Sequence, residues 1–158
     1  MEITVTYSNG TNKTFKRFDN ITDNNNVIAL DCSHNKLTHL PENMNFPSLE
    51  KLYCYRNNLK HLTENMNFSN LVELKFSGNK LTHLPANINF PNLVELMCYN
   101  NKLTHLPENM NFPNLKELDC SHNNNLTHLP ENMNFPNLVK LDCCLLYTSP
   151  SPRDAHES

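Results

Sequence analysis

Residues Leu93 to Asn114 read LVELMCYNNKLTHLPENMNFPN, and this stretch recurs almost intact along the chain. Aligned on the first residue, the copies start at Val27, Leu49, Leu71, Leu93 and Leu115, with a partial sixth at Leu138. The spacing is 22 residues four times and then 23. Self-similarity at such a period marks a solenoid, because one short unit cannot bury its apolar residues alone and must stack on its neighbours.

One unit can be read from side-chain direction. Leu96 and Cys98 lie two residues apart, so they leave a short strand on the same side. Stacked coils then give inward columns. One is Leu30, Leu52, Leu74, Leu96, Leu118 and Leu141; the next is Cys32, Cys54, Phe76, Cys98, Cys120 and Cys143. Leu37, Leu59, Leu81, Leu103 and Leu126 follow, and a phenylalanine series runs Phe46, Phe68, Phe90, Phe112 and Phe135. Each such side chain contributes about 1.5–3 kcal/mol when fully buried. Two prolines in most coils, such as Pro107 and Pro113, exclude long helices and predict short turns or 3₁₀ segments between strands.

The half-unit LxxLxCxxNxL resembles the leucine-rich-repeat family, over about Val27 to Cys143. Cysteine in place of leucine is similar to cysteine-ladder repeats. The Asn-rich, near-identical coils are loosely similar to repeat proteins of giant viruses and protists. The resemblance implies an α/β-type solenoid: a right-handed coil with a curved parallel sheet on its concave face and short segments on its convex face. It also implies that Asn35, Asn57, Asn79, Asn101 and Asn123 form an inward ladder bonded to the backbone of adjacent coils.

Residues 1–26 fall outside the repeat. Ile3, Val5 and Tyr7 alternate with polar residues, Asn9-Gly10-Thr11 offers a turn, and Lys13, Phe15 and Arg17 alternate again. This predicts a β-hairpin cap with Val5 opposite Phe15, and with Phe18 and Ile21 over the first coil. At the other end the repeat breaks off after Cys143, where Leu146 stands in place of the expected Asn. Cys144 to Asp154, CLLYTSPSPRD, matches one reading frame of the adaptor that transposase-made sequencing libraries attach. Residues 144–158 are accordingly read as a non-native tail on a truncated fragment.

Composition narrows the function. The 158 residues hold two glycines and abundant asparagine, so asparagine is expected at the positive-φ turns. Net charge is −3 with no basic stripe, which argues against nucleic acid or an anionic membrane. No apolar N-terminal stretch or membrane-length run is present, giving a cytoplasmic expectation. Six cysteines could suggest redox or metal chemistry. However, Phe76 takes the same position in the third coil, so the column reads as space-filling reduced thiols.

The most tempting chemistry is the column His39, His61, His83, His105 and His128, which could serve as a metal- or pH-responsive array. A linear row is a poor tetrahedral site, so no metal or other cofactor is expected. Glu42, Glu64, Glu108 and Glu131 recur at one surface position. Catalysis needs unlike groups meeting at one point, and no catalytic set or enzyme activity is expected.

By the family resemblance, the outward residues of the strands line the concave face, and they differ from coil to coil. They include Lys51, Tyr53, Tyr55, Glu73, Lys75, Glu95, Met97, Tyr99, Glu117 and Asp119. Their aromatic and sulfur-bearing groups suit an interface. The expected function is therefore a monomeric scaffold that binds another protein, with a targeting module of a larger enzyme or effector as the alternative.

Overall fold

The computed structural model describes residues 1–144; the tail reading from residue 145 onward lies outside them. The chain winds into a parallel-strand β-solenoid. Strands β3 (Val27–Asp31), β4 (Lys51–Tyr53), β5 (Glu73–Lys75), β6 (Glu95–Met97), β7 (Glu117–Asp119) and β8 (Lys140–Asp142) come one per coil. They pair in parallel with no slip, so Leu30, Leu52, Leu74, Leu96, Leu118 and Leu141 stand in one row. A one-residue slip would turn every leucine to solvent, and that is what holds the register. Each three-residue strand is short, yet the ladder runs past it. Cys54 N–H donates to Lys75 O at 2.7 Å, and Phe76 N–H to Met97 O at 3.0 Å.

The core is continuous from coil to coil. The leucine row from Leu30 to Leu118, the thiols Cys32, Cys54, Cys98 and Cys120, and Phe76 are all buried. On the side opposite the sheet Phe68, Phe90, Phe112 and Phe135 stack face to face, with centroids 5.9–6.5 Å apart. Leu141 departs from the expected inward row: it is 43% exposed. Strand β8 is the last in the sheet among the described residues, so its leucine is covered from one side only.

The α/β-type label needs correction. Among the described residues the only helical elements are the 3₁₀ turns Phe18–Asn20 and Asn24–Asn26, both ahead of the first coil. Of the expected short turns or 3₁₀ segments between strands, the chain uses the turns, each closed by one hydrogen bond, such as Leu71 N–H to Phe68 O and Leu93 N–H to Phe90 O, both 3.1 Å. Prolines at Pro85 and Pro91 lack the N–H donors that consecutive turns would need.

Strands β1 (Ile3–Tyr7) and β2 (Asn12–Phe15) form the hairpin, with β1 antiparallel to β3, giving the order β2-β1-β3-β4-β5-β6-β7-β8. Ile3 faces Phe15 and Val5 faces Lys13, a register two residues from the expected Val5–Phe15 pair. The loop is still three residues long, but it is Ser8-Asn9-Gly10, closed by Tyr7 N–H to Thr11 O at 2.9 Å. Gly10 has φ +81°, and a three-residue hairpin loop wants its left-handed residue last. Ile3, Val5, Tyr7 and Ile21 are buried and Phe18 is half-buried against the first coil.

Positive φ falls at the residue before each ladder asparagine: His34, Arg56, Gly78, Asn100 and His122. The expectation that asparagine fills these turns is met at Asn100 alone. A left-handed non-glycine residue costs about 1–2 kcal/mol. The turn is kept because it aims the following asparagine inward, where its hydrogen bonds offset that cost.

Candidate protein-interaction face

The ladder asparagines each bind two coils. Asn79 Nδ2 donates to Cys54 O at 2.9 Å and to Phe76 O at 2.8 Å, while its Oδ1 accepts from Leu59 N–H at 3.0 Å. Asn101 and Asn123 repeat this arrangement. Asn57 Oδ1 accepts from both Asn35 N–H and Leu37 N–H, at 2.9 and 3.0 Å. At the first coil the backbone of Glu2 stands in for a missing neighbour. Its N–H donates to Asn35 Oδ1 at 2.7 Å, and its carbonyl accepts from Asn35 Nδ2 at 2.6 Å.

A second ladder, which sequence reasoning missed, runs along the other edge of each coil. Asn70, Asn92, Asn114 and Asn137 donate from Nδ2 to the carbonyls of Pro47, Ser69, Pro91 and Pro113, at 2.7–2.9 Å. The signal was available: an asparagine closes NFSN or NFPN in each of these coils. Together the two ladders clamp the strand between fixed edges, and that rigid strand presents the outward residues.

Those residues form three columns. Lys51, Glu73, Glu95, Glu117 and Lys140 stand in register, as do Tyr53, Lys75, Met97, Asp119 and Asp142. Tyr55, Ser77, Tyr99 and Ser121 follow two residues on, at the end of the sheet. Glu73 is the hub. It meets Lys51 Nζ at 2.9 Å and Lys75 Nζ at 3.2 Å, and accepts the Tyr53 hydroxyl at 2.6 Å. Lys75 also reaches Glu95 at 2.8 Å and lies over the Tyr53 ring, 5.5 Å from its centroid. The Tyr53 and Tyr55 rings stack at 6.1 Å, and Lys140 pairs with Glu117.

Electrostatics follow from this packing. Partial burial opposes the charge on Glu73, but hydrogen bonds from Tyr53, Lys51 and Lys75 outweigh it and hold the carboxyl down at about 2. Burial likewise opposes the charge on Lys75, and Glu95 and Glu73 more than restore it, raising its pKa. Burial and the Glu73 bond push the Tyr53 phenol up, so it stays a donor. In the core, burial pushes the Cys98 thiol up and carries Cys120 to about 12.

One outward residue differs from expectation. Met97 is buried, 8% exposed, and offers little sulfur-bearing surface. It is flanked in register by Lys75 and Asp119, and its flexible thioether settles among them. Tyr99 is exposed, while Lys51, Tyr53, Tyr55, Glu73, Lys75, Glu95, Glu117 and Asp119 are half-buried. The five histidines of the outer column are exposed, and among the described residues no three His, Cys, Asp or Glu side chains gather as a metal-binding group.

The Leucine Rich Repeat sequence profile matches residues 114–135. No curated protein matches the chain. The solved structure of YopM from Yersinia enterocolitica WA-314 superposes with a TM-score of 0.60 at 33% identity, over 73% of this chain. The chain spans 24% of that chain's length. Periodic leucines, one parallel strand per coil, an asparagine ladder, the profile and the superposition all lead to one assignment: the chain is a leucine-rich-repeat protein.

Proposed function

We propose that the solenoid is a protein-interaction scaffold whose sheet face, concave by family resemblance, receives the partner. The leucine-rich-repeat fold supports such a scaffold in preference to an enzyme. The observation that carries the reading is the contrast between columns. Inward positions repeat one chemistry, whereas the sheet face brings Tyr53, Tyr55 and Tyr99 beside a fixed Lys51–Glu73–Lys75–Glu95 network. Ordered aromatic side chains lose little freedom on docking, which is why they serve as interface anchors. The free thiols of the core, with Cys32 Sγ 3.4 Å from Cys54 Sγ, suit a reducing compartment such as the cytoplasm.

The test is photocrosslinking of the full chain in extract, followed by affinity measurement with the identified partner. Tyr53→Ala with Tyr99→Ala is expected to weaken binding by about 30-fold or more, the usual scale of an interface anchor. Asn67→Ala with Asn89→Ala, on exposed positions between the strands, is expected to leave it unchanged. The reverse pattern would move the contact off the sheet and sink the proposal.

A further inference from the structure

A second surface, separate from the sheet face, carries its own chemistry. Between the strand ends and the phenylalanine spine lies a groove of about 1130 Å³ that crosses four coils. His39, His61 and His83 line it from three consecutive coils. Lys60, Lys80 and Lys102 line it as well, and among the described residues none of the three takes part in an ion pair. The carboxylates in the lining are Glu42 and Glu64, also without an ion pair among the described residues. This is the reverse of the sheet face, where the same residue types neutralise one another.

The imidazoles are also oriented. Thr38 Oγ1 shares a hydrogen bond with His39 Nδ1, and Thr82 Oγ1 with His83 Nδ1, each at 3.1 Å. In the charged ring Nδ1–H donates to the hydroxyl, and in the neutral ring the tautomer sets which of the two donates. Either way Nδ1 is occupied and Nε2 is left for a ligand. His61 follows Lys60 in place of a threonine, so that coil sets a lysine beside the imidazole.

From this geometry we infer that the groove is a binding site for an extended acidic polypeptide segment, with affinity that rises on mild acidification. Three lysines give a standing attraction for carboxylates. An imidazole ordinarily gains its proton across the range from about pH 7.5 to 5.5, while glutamate side chains stay ionised throughout. The change in attraction therefore comes from this protein and not from the ligand. A peptide, and not a dense polyphosphate, fits because Glu42 and Glu64 interrupt the cationic lining and would repel a chain charged at every unit. Three inter-strand steps of about 4.8 Å make the groove roughly 14 Å long, which four or five extended residues cover.

The experiment is fluorescence anisotropy of the full chain with a labelled peptide of about seven residues in which glutamate alternates with serine, so that its charges can avoid Glu42 and Glu64, at pH 7.5 and 5.5 in low salt. Three added exposed ion pairs at their usual modest strength give about a tenfold tighter complex at pH 5.5. The variant His39→Gln, His61→Gln, His83→Gln changes exposed side chains only, and it is expected to keep binding at pH 7.5 while losing the gain. Lys60→Gln, Lys80→Gln, Lys102→Gln is expected to weaken binding at both pH values, and His122→Gln, outside the groove, to change neither. No binding, equal affinity at the two pH values, or a gain that survives in the triple histidine variant would overturn the inference. Binding of inorganic polyphosphate in preference to the peptide would overturn the assignment of ligand class.

Discussion

Glu73 shows how a single side chain turns an outward position into a fixed one. Its carboxyl, held at about 2 by Tyr53, Lys51 and Lys75, sits below its unfolded value of about 4.3. A carboxyl with a depressed folded pKa adds stability that is fully present above the unfolded value and disappears as pH falls through the folded one. Glu73→Gln is therefore expected to cost about 1–2 kcal/mol at pH 6, after discounting for solvent on a partly open face. In urea titrations that difference from the wild type should shrink between pH 4.5 and about 2; a constant difference would show that the charge is not what matters. Each member of this network was visible in the sequence as an outward residue. Its pairing was not, because pairing depends on parallel, unslipped stacking, which puts Lys51 beside Glu73 and Lys75 between two glutamates. The same reading took Met97 for exposed, since the strand pattern gives direction and not depth.

At the scale of the coil, stability rests on backbone groups that no strand satisfies. Asn79→Ala leaves Leu59 N–H buried without its acceptor and removes the donor to Cys54 O and Phe76 O. The expected loss is about 2–3 kcal/mol, with the exposed Asn92→Ala costing well under half as much. Equal losses in chemical denaturation would contradict the ranking. The strands and core columns were legible because leucine and phenylalanine recur with the period of the coil. The hairpin register was not, because it turned on which residue supplies the left-handed turn: sequence offered Asn9-Gly10-Thr11, and the chain uses Gly10 as the last loop residue. The left-handed column from His34 to His122 was hidden for a related reason. Nothing in His34 or Arg56 announces a positive φ, and only the need to aim the next asparagine inward explains it.

Over the whole molecule, each coil touches only its neighbours, so protection should fall toward the less covered end. Leu52, Leu74 and Leu96 lie in strands paired on both sides, whereas Val139 is 85% exposed and Leu141 43%. Hydrogen exchange is expected to be slowest in β4 to β6 and faster in β8. Uniform protection from β3 to β8 would mean that the stack opens as one block. The solenoid was readable at this scale from its period, whereas the α/β-type label taken from the resemblance was not right, because prolines leave the stretches between strands as turns. The grooved flank was not readable, since Lys60, Lys80 and Lys102 come together only when four coils are laid side by side.

The coil that begins at Leu115 holds one residue more than the others, yet it keeps both ladders: Asn123 still reaches Cys98 O and Asn137 still reaches Pro113 O. The surplus falls in the run Asn123-Asn124-Asn125, ahead of the buried Leu126. Spacing is thus enforced at the two anchored edges and left slack between them. A gene built this way can gain or lose whole coils by recombination between near-identical copies, because every junction meets the same asparagine sockets. The length of the sheet face then becomes a quantity that heredity can adjust in steps of about 4.8 Å without redesigning the interior.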